Sequence, residues 1–221
     1  QAAKPESDAI TNCSICDIYG YLIAQGAEGQ ARGTSARRSS RVMFSWLMPV
    51  LGTETAQKQV IHTRVSQQVS MAADEQSAQM IFNKSYASGI YAFVSALDVD
   101  RIGLVELNLG NQNPYAVDDN NGRKDRIRVA IESYRLMLSG QMGASLSHAI
   151  PHTNPIEVLI AYSESGPLPF PVSPMYLDYI SKTAGLMPQK TPLLYWGDAT
   201  ASGIQKKNTI DDIFKELLSK V

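Results

Sequence analysis

Ser88-Gly89-Ile90-Tyr91-Ala92-Phe93-Val94-Ser95-Ala96-Leu97-Asp98-Val99 is the stretch on which the fold turns. In an extended chain side chains alternate with a period of two, so Ile90, Ala92 and Val94 share one face and Tyr91, Phe93 and Ser95 the other. Both faces are apolar, which predicts a buried strand. Upstream, Val42, Phe44, Trp46 and Met48 alternate with Met43, Ser45 and Leu47 and stop at Pro49, which predicts a second, central strand. Between the two, residues 59–70 and 80–86 read as the sides of an extended hairpin. That hairpin makes an inserted arm over about residues 53–86.

Outside this frame, Ile15, Ile18, Tyr19 and Leu22 recur at helical spacing and predict a short helix over 12–23. Residues 24–40 are rich in Gly, Ala, Ser and Thr without an apolar period, so they read as an exposed, pliable loop. A turn-rich loop over 108–121 leads into a helix over 123–139, whose stripe is Ile127, Ala130, Ile131, Tyr134 and Leu138. Gly140 caps it in the left-handed conformation. Residues 156–162 read as a buried strand. A helix over 174–183 opens on Pro174 with Gly185 after it. A short strand follows over 193–196, and an amphipathic helix over 211–220 closes the chain, with Asp211 and Asp212 at its start and Lys220 at its end. This order predicts an α+β fold with helices on one face of an antiparallel sheet, the architecture of ferredoxin-like and RNA-recognition-motif folds. Residues 1–221 are expected to form a single domain with the inserted arm.

The chain has 221 residues, 44% hydrophobic and 19% charged, a globular composition far from that of disordered proteins. Pro49 and Gly52 interrupt the best apolar run, over 43–51, so a membrane span is not expected and the protein reads as soluble and cytoplasmic. The sequence starts at Gln1 with a polar stretch and reads as part of a longer chain. A formal net charge of -1 weighs against a nucleic-acid partner. The distribution weighs the other way: Arg32, Arg37, Arg38 and Arg41 fall in a segment without Asp or Glu.

Four constellations carry possible chemistry. Cys13 and Cys16 form one C-x-x-C, but a structural zinc needs four ligands and His62, His148 and His152 do not supply a matching pair. They read as two small, buried, reduced thiols, with no metal or cofactor expected. His148 and His152 flank Pro151 near Ser147, a pattern that general acid–base cleavage of RNA could use, although loop anchoring or a phosphate contact is the plainer reading. Asp118-Asp119-Asn120-Asn121 resembles half a calcium loop but lacks the later bidentate Glu. The arginine block is the strongest signal. Arg37, Arg38 and Arg41 can hold phosphates bidentately while Ser35, Ser39 and Ser40 donate hydroxyls, a sequence-independent mode of single-strand binding.

Five blocks occur in order: Asn12-Cys13-Ser14-Ile15-Cys16-Asp17-Ile18-Tyr19-Gly20, Arg38 to Trp46, His62-Thr63-Arg64, Ser88 to Ser95, and Ile150-Pro151-His152. Together they resemble the DevR-type branch of the CRISPR RAMP superfamily, the backbone subunit of type I-A and I-B Cascade complexes. The resemblance implies a palm with an inserted thumb, in which Val69 or Met71 could wedge between bases. It implies many copies stacked along one crRNA, target DNA reached through guide pairing, and further Cascade partners: a large subunit and a subunit capping the crRNA 5′ handle. Family members usually carry a first palm strand ahead of the cysteine block, and that strand is expected to be missing here. The RNA grip carries over to Arg37, Arg38 and Arg41, to His62 and Arg64 on the arm, and to Ser145, His148 and His152 after the long helix. No catalytic residue is expected. The alternatives are a DNA-binding autoregulator and a His-dependent ribonuclease.

Overall fold

The computed structural model describes residues 6–23, 36–53, 55–64, 80–120, 122–140 and 155–221. The helix predicted over 12–23 is shorter, α2 (Ser14–Tyr19), because Gly20 ends it and residues 21–23 are strand; α1 (Glu6–Asn12), which the sequence reading did not mark, precedes it. Cys13 between them is extended, and its sulfur caps α2 by accepting the Cys16 N–H at 3.1 Å. Gly20 ends α2 at φ 76°, and a Cβ there would sit 2.3 Å from the Arg38 carbonyl oxygen. Only glycine lets the chain turn that close to its neighbour. It turns into β1 (Tyr21–Ile23), which pairs antiparallel with β2 (Ala36–Arg38).

The two predicted strands pair with each other to make one long ribbon. β3 (Val42–Phe44) and β4 (Met48–Pro49) form the outgoing side, continued by β5 (Ala56–Arg64). β6 (Met80–Ser88), β7 (Tyr91–Ala92) and β8 (Ser95–Leu97) return along it. β5 pairs with β6, β4 with β7 and β3 with β8, all antiparallel. Residues 56–64 and 80–88 thus pair as two sides of a hairpin where one was expected, and residues 65–79 lie outside the described residues. Ser45, Trp46 and Leu47 face only Phe93 and Val94, so one extra residue bulges the outgoing side. Ser45 bridges the bulge: its N–H donates to the Val94 carbonyl and its hydroxyl accepts the Val94 N–H, both at 2.8 Å.

Neither strand is central or buried on both faces, contrary to the sequence reading. Phe44 is 54% exposed and Trp46 87%. A two-stranded ribbon has no neighbouring strand and is covered on one side only, so apolar alternation on both faces overstated its burial.

The core lies on α3 (Arg123–Leu138). Its stripe buries Ile127 and Ile131 against Ile102 and against Phe214 of the last helix, while Ala130 packs with Ile18 and Val42. Gly140 follows at φ 75°, as expected of the cap. β9 (Val158–Ala161), β10 (Leu193–Trp196) and β11 (Gln205–Lys206) make a small sheet with β10 in the middle. β10 is antiparallel to β9 but parallel to β11, so this sheet is mixed. α4 (Tyr179–Leu186) lies between β9 and β10 in sequence and starts later than predicted. Pro174 belongs to a turn closed by the Tyr176 N–H on the Ser173 carbonyl, and Gly185 lies inside the helix. The stop comes instead from Pro188, which holds Met187 extended. α5 (Ile210–Leu218) opens on a capping box between Thr209 and Asp212. The architecture is thus mixed helix and strand with small, mainly antiparallel sheets. Among the described residues no helix is long and apolar enough to cross a membrane.

Candidate nucleic-acid interface

β2 carries the first two arginines of the block, and its register sets their fates. Arg37 stands opposite Leu22 and is exposed, and Leu22 is exposed beside it. Arg38 stands opposite Tyr21 and is 4% exposed. Its guanidinium makes five hydrogen bonds. Nη2 donates to Asp17 Oδ1 at 2.5 Å and to the Arg101 carbonyl at 3.2 Å. Nη1 donates to Glu6 Oε1 and to the Leu104 carbonyl, each at 2.7 Å, and Nε donates to the Asp17 carbonyl at 3.2 Å.

Asp17 is the centre of this network. Its buried carboxylate also accepts Arg126 Nη1 at 2.8 Å and the Gly103 N–H at 3.0 Å. Arg126 Nη1 donates as well to the Ile10 carbonyl, tying α1, α2 and α3 together. Gly103 has φ 80°, and a Cβ there would meet the Val117 carbonyl oxygen at 2.0 Å, so this donor position admits only glycine.

Arg41 is 1% exposed and links α2 to the ribbon through its backbone, donating to Ile18 and accepting from Asp98, both at 2.8 Å. Its Nη1 donates to Glu106 Oε1 at 2.9 Å. Its Nε and Nη2 are buried with no acceptor among the described residues. Burial pushes the Glu106 carboxyl up, but the hydrogen bond and charge of Arg41, helped by Arg101, outweigh it and hold the group below the usual carboxylate range.

Of the three arginines read from the sequence as phosphate ligands, Arg37 is exposed while Arg38 and Arg41 are buried. The physical reason is tertiary: Glu6, Asp17 and Glu106, distant in sequence, converge on an arginine segment that has no acid of its own. Ser40 is also occupied locally, donating to the Val42 carbonyl and accepting the Val42 N–H. His62 and Arg64 lie on β5, at the register positions of Phe82 and Met80. Ser35, Val69, Met71, Ser145, His148 and His152 lie outside the described residues. Sequence reasoning missed Asp17, Arg126 and Gly103 as a unit. Asp17 stood inside a quoted block, but nothing in the spacing of 17, 38, 103 and 126 says that they meet.

Elsewhere, an open cleft of about 510 Å³ is lined by residues 162–168 and 188–192. Its Glu164 pairs with Lys220 at 3.0 Å. No group of three or more His, Cys, Asp or Glu positioned to hold a metal occurs among the described residues.

Residues 1–184 match the family described as "CRISPR-associated negative auto-regulator DevR/Csa2". A relative from Methanocaldococcus jannaschii, described as "CRISPR-associated protein Cas7/Cst2/DevR", is 30% identical over 229 residues, which cover 99% of this chain and 66% of that protein. One from Thermoproteus tenax with the same description is 30% identical over 241 residues, covering 99% and 68%. The chain thus spans about two thirds of the length of these curated relatives. Among solved structures, a chain of a "CRISPR RNA-guided surveillance complex, pre-nicking" superposes with a TM-score of 0.53 at 14% identity, covering 97% of this chain and 63% of its own. A chain of a "CRISPR RNA-guided surveillance complex" gives 0.51 at 14% identity, covering 97% and 81%. At such identity these two likenesses speak for the fold alone.

Proposed function

This chain belongs to the CRISPR-associated DevR/Csa2 family, and from that premise we propose that it is a non-catalytic backbone subunit of a type I Cascade effector complex, of subtype I-B or I-A. In this role it binds crRNA along the phosphate backbone, stacks with further copies of itself into a filament, and supports binding of target DNA through guide pairing. Its other partners are the large subunit and the subunit that caps the crRNA 5′ handle. The observation that carries the reading is the family match over residues 1–184.

The geometry supports it at one place in particular. Arg37 is an exposed cation on a strand whose next residue is fixed by five hydrogen bonds, so a phosphate contact there costs little ordering of the backbone. We assign the RNA edge to Arg37 with His62, Arg64, Ser145, His148 and His152. Arg38 and Arg41 act behind it and hold the strand. Phosphate contacts of this kind position a strand without reading its bases, as a subunit that accepts any guide requires.

The test is co-expression of the chain with a CRISPR array and the other Cascade subunits, followed by purification and an RNA gel. The expected result is a large particle holding RNA of discrete length. A small oligomer that lacks RNA and binds a promoter fragment would establish the autoregulator reading instead. RNA degraded with turnover, and protected on His148→Ala or His152→Ala, would establish a ribonuclease.

A further inference from the structure

The C-x-x-C is not the buried pair that the sequence implied. Cys13 and Cys16 are free and half-buried, and the two residues between them, Ser14 and Ile15, are exposed. We propose that Cys13 and Cys16 form a redox-active dithiol that closes reversibly to an intrachain disulfide, with Cys13 as the attacking thiol and Cys16 as the resolving one.

Three observations carry this. The Cys13 sulfur accepts the Cys16 N–H at 3.1 Å, which holds that sulfur against the backbone of Cys16 in a tight turn. The Asp17 N–H donates to the Cys13 carbonyl at 3.0 Å, so a second hydrogen bond closes the turn that carries both thiols. The turn lies at the surface, since Ser14 and Ile15 between the two half-buried cysteines are exposed. The Cys16 thiol and N–H, the Ile15 N–H and the Arg126 charge together draw the Cys13 thiol below its usual range. Donation to Cys13, with burial and the neighbouring thiolate charge, pushes Cys16 up. That asymmetry suits an attacking and a resolving thiol.

The step balances as two exchanges. The Cys13 thiolate attacks one sulfur of a small-molecule disulfide, forming a mixed disulfide and releasing one thiolate. The Cys16 thiolate then attacks the Cys13 sulfur, forming the Cys13–Cys16 bond and releasing the second thiolate. The two cysteines lose two electrons and two protons, and the small disulfide becomes two thiols. The inference is independent of RNA binding.

The experiment uses the purified, reduced chain with oxidised glutathione as the probe, read by intact mass and peptide mapping. The wild-type chain is expected to become lighter by two hydrogens, to retain no glutathione, and to revert with dithiothreitol. Cys16→Ser is expected to trap one glutathione on Cys13, and Cys13→Ser to react several-fold more slowly at Cys16. A measurement without substitutions guards against a folding defect: phenylarsine oxide, which bridges adjacent thiols, should bind the reduced wild-type chain one to one and the oxidised chain not at all. A wild-type chain that stays reduced, one that keeps two separate glutathiones, or Cys13→Ser reacting as fast as Cys16→Ser would overturn the proposal.

Discussion

Asp17 illustrates how much one side chain can hold. It is fully buried, and its carboxylate accepts from Arg38, Arg126 and the Gly103 N–H. Removing one partner of a buried ion pair strands the others in a region without water, at a typical cost of about 3–5 kcal/mol. Asp17→Ala is therefore expected to lower the melting temperature severely or to abolish folding, as read by thermal unfolding followed by circular dichroism. Unchanged unfolding would show that the network is dispensable. Arg37 and Arg38 make a sharper contrast, because they are adjacent and differ mainly in burial. Arg38→Ala should destabilise the fold. Arg37→Glu should leave the melting temperature unchanged while weakening RNA retention, and the slope of log affinity against log salt should shrink by about 0.7 for the lost phosphate contact. If Arg37→Glu binds RNA with the native slope, that arginine is only solvated.

At the scale of elements, the ribbon explains why apolar residues there do unequal work. Phe44 stacks on Tyr134 of α3 with ring centroids 5.8 Å apart and lies 6.0 Å from Phe93, whereas Trp46 sits in the bulge at 87% exposure. A bulge turns its residues away from the regular alternation, so the larger ring is the one left outside. Phe44→Ala should cost the aromatic contacts, about 0.5–1.5 kcal/mol beyond the buried area. Trp46→Ala should stay within about 0.5 kcal/mol of the wild type in urea unfolding. A large loss at Trp46 in the isolated chain would mean that the bulge is packed in solution.

For the whole molecule, stability is expected to depend on acid in one direction. Burial raises Glu106, yet Arg41 and Arg101 bring it net below its usual range; Asp178 is lowered mainly by the hydrogen bond from Lys182, with burial opposing, and Glu216 mainly by Lys207. A carboxyl depressed in the folded state contributes stability above its unfolded pKa, near 4, and loses it as pH falls through the depressed folded value. Melting temperature should therefore be flat from neutral pH to about 5 and fall below about pH 4. Glu106→Gln should flatten part of that fall, and an unaltered acid limb would remove Glu106 from the account. Asp178 is largely exposed, so water and salt screen its share.

Local signals were legible in the sequence by itself: the α3 stripe with its Gly140 cap, β10 at its observed bounds, the closing helix, and a hairpin between two apolar runs. Each rests on periodicity or on a residue with a special backbone preference, and both act over a few positions. The family was legible too, because it is written in the order of short blocks. Only the tertiary structure decided which arginines face water. Composition placed Arg37, Arg38 and Arg41 in one acid-free segment, but charge neutralisation acts through space, and Glu6, Asp17 and Glu106 reach Arg38 and Arg41 from other elements. The exposure of the ribbon and of the two cysteines was settled in the same way, since burial depends on which other elements cover a strand or a turn and not on its own sequence.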